Sequence, residues 1–134
     1  MRNLTLLLAA AVVAFLSIAQ CTTTTSQNAT AVAHVARMWR GEVPIARADE
    51  YQAYLNAEGL GKLRAIRGNR GVQMFRRTVG DREEFVVISY WPDEDTIRAY
   101  AGDDVFRARL MPRDPEFLIE PDTHVRHYKI VVDR

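Results

Sequence analysis

Short runs of apolar and β-branched residues, each bounded by charge, glycine or proline, recur four times along the chain. This pattern predicts strands over residues 32–43, 72–78, 84–91 and 123–132. Between the first two strands, residues 46–66 carry apolar side chains at three- to five-residue steps, which predicts a helix. Gly59 and Gly61 predict that this helix breaks or bends near Leu60.

The third predicted strand leads directly into a second helix. Pro92 ends the strand, because proline has no N–H to donate to a sheet. Asp93 then offers a carboxylate to the free N–H groups of a new helix, and two more acids follow in its first turn. We expect this helix to run over residues 93–110, interrupted at Gly102 and resuming as a further turn over 105–110.

The resulting order, β-α-β-β-α-β, predicts an α+β domain of the ferredoxin-like type. With right-handed crossovers it gives a four-stranded antiparallel sheet in the spatial order 4-1-3-2, with both helices on one face. Apolar residues occupy both parities of the strands, so the sheet face away from the helices is expected to be covered as well. A two-fold homodimer is the simplest closed way to cover it.

The N-terminus predicts export. Residues 1–21 combine Arg2 with an apolar stretch that is short for a membrane span, as in a signal peptide. The sequence I-A-Q-C resembles a lipoprotein lipobox, which makes Cys21 a candidate lipidation site and a lipid anchor there the only expected membrane contact. Residues 22–30 then form a polar tether, and the folded domain spans 31–134. Two alternatives remain open: a cleaved, soluble periplasmic or extracellular product, or a leader that arises from a misplaced start codon.

Composition excludes several classes of protein. The formal net charge of +1 provides no global basic field for nucleic acid. The single cysteine excludes an intrachain disulfide and a structural zinc site with two Cys–His pairs. His124 and His127 lie three apart on a predicted strand and so point to opposite faces, which gives no metal-binding set.

The element order, the strand A-R-M-W-R-G and the segment V-V-I-S-Y-W-P-D-E-D-T-I-R-A-Y-A-G-D-D resemble the antibiotic biosynthesis monooxygenase-like family over residues 32–132. The resemblance implies a dimeric α/β barrel. It also implies one of two activities: cofactor-independent oxidation of aromatic compounds, or haem degradation. The haem-degrading branch uses an asparagine on the first strand, a tryptophan on the third and a histidine on the second helix. Trp91 matches the tryptophan, but Ala36 falls at the asparagine and residues 93–110 contain no histidine, so haem degradation is not expected.

A ligand pocket is expected where the third strand meets the second helix. Trp91 is interpreted as lining it, with a purely core role as the alternative. His34 would approach Trp91 if the even positions of the first strand face the helices, and could then accept a proton from a phenolic or enolic substrate; the alternative is a surface histidine. The remaining predicted lining is Met38, Ser89, Tyr100, Phe106 and Met111.

Two functions follow as hypotheses. One is oxidation of a small aromatic or quinone-type compound without a metal or flavin cofactor; the other is a non-catalytic dimeric module that binds a small hydrophobic ligand. A titratable side chain in the pocket would favour the first. A run of cations without acids over residues 59–80 either binds an anion or is balanced by the acids of residues 81–104; it comprises Lys62, Arg64, Arg67, Arg70, Arg76 and Arg77.

Overall fold

The structure, a computed structural model, describes residues 32–132. The predicted signal segment, Cys21 and the tether lie outside the described residues. Within them, no helix is long and apolar enough to cross a membrane.

Four strands form one antiparallel sheet: β1 (Val35–Pro44), β2 (Gly71–Val79), β3 (Arg82–Trp91) and β4 (Arg126–Lys129). Their spatial order is β2-β3-β1-β4, which confirms the predicted order 4-1-3-2. Strands β2 and β3 form a hairpin, in which Gly80 takes a positive φ of 63° at the turn. The last strand is shorter than predicted, because it pairs only with residues 35–38 of β1.

The first helical region is continuous but irregular, as the two glycines predict. After a 3-10 turn over Ile45–Arg47, helix α1 (Ala48–Tyr54) passes into a π-helical segment, Leu55–Leu60, and then into α2 (Gly61–Ala65). A Cβ on Gly59 would lie 2.9 Å from the Met111 sulfur, so a glycine allows Met111 to pack against the wide turn. π-Helical turns of this kind are frequent at functional sites.

Helix α3 (Glu94–Ala101) starts and stops where its sequence indicates. The Asp93 carboxylate accepts a hydrogen bond from the Thr96 N–H at 2.7 Å, and Gly102 ends the helix with a φ of 87°. The further helical turn over residues 105–110 is not formed. Instead Arg107 makes an antiparallel bridge with His124, because the chain here runs beside the segment that leads into β4.

The helices cover the odd-numbered face of β1. Arg37 and Trp39 are opposite Ser89 and Val87 in the β1–β3 register, and these side chains lie beneath the helices. Three apolar clusters form the core on this face; their buried members include Tyr51 with Phe85, Trp91 with Ile97, and Leu60 with Val87. The premise that even positions of β1 face the helices is therefore wrong. Apolar residues on both parities had left the choice open.

Three of the six cations of residues 59–80 pair with acids in the described part of the chain. The Arg76 Nε donates to Glu83 at 3.1 Å, and the Arg77 Nε donates to Glu84 at 2.6 Å. The Lys62 ammonium pairs with Glu58 at 2.6 Å. The acids of residues 81–104 thus compensate Arg76 and Arg77, while Lys62 is balanced by Glu58 from outside that stretch.

Candidate functional site

A cavity of about 190 Å³ lies between the helix-facing side of the sheet and the first helical region. Strands β1 and β3 form its floor, α1 through α2 form one wall, and Tyr100 of α3 with residues 109–114 close the opposite side. The elements that surround it come from four distant parts of the chain, which is typical of a pocket between a sheet and its covering helices.

Most of the cavity wall is apolar or aromatic. The half-buried Trp39 contributes an indole whose Nε1 donates to the Asp122 carbonyl oxygen at 3.1 Å, which fixes the ring. The π-helical segment supplies Leu55 and Leu60. Such a surface accommodates a planar, weakly polar ligand, because aromatic side chains offer large contact areas with few unsatisfied polar atoms.

A buried carboxyl group, Asp114, lies at the cavity and is only 3% exposed. One oxygen accepts from the Tyr51 hydroxyl at 3.2 Å, and the other accepts from the Met111 backbone N–H at 2.6 Å. Burial raises the pKa of Asp114, although these two hydrogen bonds oppose the rise. Burial also raises the pKa of Tyr51, and the neighbouring Asp114 adds to that effect. The raised pKa of Asp114 makes its carboxyl better suited to accept and release a proton near neutral pH.

A buried arginine, Arg37, faces Asp114's cavity from the floor. It is 6% exposed, and its Nη2 donates to the Arg107 carbonyl oxygen at 2.8 Å. The guanidinium carbon lies 5.6 Å from the centre of the Tyr100 ring. Burial lowers the pKa of Arg37, and the charge of Arg109, which also lines the cavity, lowers it further. The guanidinium remains charged at physiological pH, since arginine starts from so high a pKa.

Trp91 lies directly behind this wall and has no exposed surface. Its Nε1 donates to the Ser89 hydroxyl at 2.9 Å, and its ring stacks on Tyr100 with centroids 5.6 Å apart and planes 13° apart. Ser89 and Tyr100 themselves line the cavity. Trp91 therefore supports two wall residues from the core and does not present its own face to the cavity.

The structure brings together only part of the predicted site. Ser89, Tyr100 and Met111 line the cavity as expected. Met38 lies on an even position of β1 and faces away from it, and Phe106 is 46% exposed with its ring against His127. His34 precedes β1 on the even parity, is exposed, and is absent from the cavity wall.

Several residues at the cavity were missed by the sequence-based analysis: Arg37, Trp39, Tyr51, Arg109 and Asp114. Arg37 was an available signal, because the other odd positions of β1 are apolar or glycine and a cation on that face needs an explanation. Asp114 carried no such signal, because it lies in a proline-rich loop and its partner Tyr51 is 63 residues away in sequence.

The cavity does not fit the haem chemistry of the resembling branch. No histidine lines it, and the described part of the chain contains no cluster of three potential metal ligands. Ala36, placed at the asparagine by sequence, faces away from the cavity, and its inward-facing neighbour is Arg37. His127 lies elsewhere, with its Nδ1 3.2 Å from a Glu94 oxygen.

The structure thus has a ferredoxin-like domain with a cavity between sheet and helices, lined mainly by apolar and aromatic side chains. The family model for antibiotic biosynthesis monooxygenase matches residues 34–109, and the chain belongs to this family. A comparison with curated proteins returned no match.

Solved structures share the fold at low sequence identity. One is a Bacillus cereus protein proposed to be an antibiotic biosynthesis monooxygenase, with a TM-score of 0.55, 14% identity, and coverage of 77% of this chain and 98% of that one. Another is the haem degrader MhuD from Mycobacterium tuberculosis, solved with two haems in its active site, with a TM-score of 0.53, 19% identity, and coverage of 75% and 98%. A third is a Nitrosomonas europaea protein of unknown function, with a TM-score of 0.55, 19% identity, and coverage of 78% and 95%.

Proposed function

We propose that the chain is a monooxygenase that oxidises a small phenolic compound to a quinone without a bound cofactor. The observation that carries this proposal is the buried Asp114 carboxyl at a cavity with apolar and aromatic walls. Oxidation needs a side chain that can accept a proton from the substrate, whereas ligand binding alone does not. A titratable group in the cavity therefore favours oxidation. Asp114 takes the role that the sequence suggested for His34, because His34 does not reach the cavity.

The chemistry requires an electron-rich substrate anion and a dry environment. Asp114 accepts the phenolic proton, and the resulting anion transfers electrons from its para carbon to O₂ with formation of a carbon–oxygen bond. The proton on Asp114 then passes to the new peroxide. Loss of the para hydrogen together with hydroxide releases water and leaves the quinone. For 1-naphthol the balance is C₁₀H₈O + O₂ → C₁₀H₆O₂ + H₂O.

An oxygen electrode combined with quinone absorbance tests this proposal, with 1-naphthol and dihydroxynaphthalenes as probes. We expect one O₂ consumed per quinone formed. Asp114→Asn should lower the rate by about 10²- to 10⁴-fold, the usual contribution of a positioned acid or base. Asp103→Asn is the matched control, since Asp103 is exposed and does not line the cavity. Equal rates for wild type and Asp114→Asn would refute the role of Asp114.

A non-catalytic binding module is the second candidate. It is favoured by the fact that both Asp114 oxygens already accept hydrogen bonds within the protein. If the naphthols bind with saturation while no probe consumes oxygen, this second function replaces the first.

The assembly and location proposed for the protein rest on the sequence and on the exposed sheet face. We propose a homodimer formed through the face opposite the helices, where Phe75 and Tyr128 are 49% and 48% exposed. We also propose export to the cell envelope, with a lipid anchor at Cys21.

A further inference from the structure

The buried Arg37 side chain lacks the partner that a buried charge normally has. Its Nη2 donates to the Arg107 carbonyl oxygen, but its Nε has no acceptor among the described residues. Taking a guanidinium out of water is costly unless it is paired and hydrogen-bonded. Arg37 is only 6% exposed but lines the cavity, so its remaining N–H donors are available to a group that binds there.

The carboxylates of the cavity do not supply that partner. No carboxylate in residues 32–132 forms an ion pair with Arg37 or with Arg109. Glu58 is bound to Lys62, and Asp114 is held by Tyr51 and Met111. Of the three cations that line the cavity, Lys62 is thus paired with Glu58, whereas Arg37 on the floor and Arg109 on the rim have no carboxylate partner among the described residues.

Arg37 and Arg109 both contact Tyr100. The Arg37 guanidinium lies over the Tyr100 ring, and the Arg109 Nη2 approaches the Tyr100 carbonyl oxygen at 3.5 Å. The like charge of Arg109 helps to lower the pKa of Arg37, as expected for two nearby cations. A planar guanidinium with a fixed orientation is well suited to a carboxylate, because the two groups form parallel hydrogen bonds.

We infer that the substrate is an aromatic acid, whose carboxylate binds Arg37 with assistance from Arg109 while its ring fills the apolar part of the cavity. This inference rests on the proposed function and names the substrate class of the same site. The volume of about 190 Å³ is below the 300–1,000 Å³ typical of drug-sized ligands. One or two fused rings are therefore the appropriate size, and a hydroxyl on the ring supplies the proton that Asp114 accepts.

Isothermal titration of the purified protein with two probes of equal shape tests the inference. The probes are 1-hydroxy-2-naphthoate, which is anionic, and 1-hydroxy-2-naphthamide, which is neutral. Wild type should bind the acid roughly 10- to 100-fold more tightly than the amide, as charge-assisted hydrogen bonds predict. Arg37→Met should lose this preference, and Arg37→Lys should keep part of it, since an ammonium retains the charge but not the planar fork. Arg70→Met is the control, because Arg70 is exposed and does not line the cavity.

A thermal melt of each variant separates recognition from folding. If Arg37 serves a ligand, Arg37→Met removes a half-satisfied buried charge and should melt no lower than wild type, and Arg37→Lys decides the outcome if the methionine variant does not fold. Equal affinity for acid and amide in wild type, a preference that persists in Arg37→Met, or failure of both probes to bind would overturn the inference. Selective binding of the acid with no oxygen consumption from it would support an aromatic acid as the ligand of Arg37 and refute the proposed oxidation.

Discussion

Replacement of Trp91 by alanine tests whether the cavity wall is held in place from the core. The indole is fully buried against Ile97, Ala101 and Val105. Its removal leaves a void and abolishes the stack on Tyr100, so we expect a loss of roughly 3–5 kcal/mol in the free energy of unfolding. In a domain of about 100 residues, each kcal/mol lost lowers the melting temperature by about 4–8 °C, so Trp91→Ala should melt more than about 12 °C below wild type. This is a large part of the total stability, which is about 5–15 kcal/mol for such domains.

Trp91→Phe separates the two contributions of the side chain. Phenylalanine keeps most of the apolar volume but has no N–H to donate to the Ser89 hydroxyl, which is itself only 2% exposed. The hydroxyl still donates to the Arg37 carbonyl oxygen at 3.4 Å, so loss of the hydrogen bond from the indole should cost about 0.5–1.5 kcal/mol. Because Ser89 lies in the cavity floor, the same variant should also weaken binding of 1-naphthol, with Trp39→Phe as the comparison from inside the cavity.

The assays are differential scanning calorimetry and ligand titration on wild type, Trp91→Ala, Trp91→Phe and Trp39→Phe. A Trp91→Ala protein that melts within about 3 °C of wild type would contradict the packing described here. So would a Trp91→Phe protein with full stability and unchanged binding.

Three further predictions concern the opposite sheet face and the N-terminus. Phe75→Glu should convert a dimer of residues 31–134 into a monomer in size-exclusion chromatography with light scattering, while Ile45→Glu, at a site of similar exposure outside that face, should not. A wild-type monomer at micromolar concentration would refute the assembly. Hydrogen bonds from Arg77 and then Arg40 hold the pKa of Glu84 at about 2, so its stabilisation is complete above pH 4.5 and is lost as pH falls toward 2. Glu84→Gln should therefore cost about 1–3 kcal/mol at pH 7 and progressively less below pH 4.5 in urea titrations; a constant difference across this range would contradict the linkage. In a bacterium with lipoprotein export, Cys21→Ser should abolish incorporation of labelled palmitate, and equal labelling of both forms would exclude this anchor.

Local sequence determined the order and the ends of most elements. The capping carboxylate of Asp93 and the left-handed glycines at 80 and 102 act within a few residues, so their effects can be read without knowledge of the fold. The two glycines near Leu60 likewise marked the irregular turn of the first helical region. Chain connectivity then restricted the sheet to one strand order.

Tertiary structure decided which face of β1 became the floor of the cavity. Val35 and Trp39 at odd positions and Ala36 and Met38 at even positions are all suited to burial, so these positions did not choose a face, and only the charges of Arg40 and Glu42 favoured solvent for the even positions. The odd positions of β1 face the cavity, so Arg37 lines it and His34 does not. The first strand therefore contributes a cation to the cavity and not the predicted proton acceptor.

Long-range packing decided the remaining parts of the site. Asp114 and Met111 reach the cavity from a loop whose course depends on contacts with Tyr51 and Gly59, about 50 to 60 residues earlier in the chain. Trp91, at the end of an apolar strand, fits a core or a pocket equally well by sequence. Its burial follows from packing against helix α3, including the stack on Tyr100, which exists only once that helix has folded over the sheet.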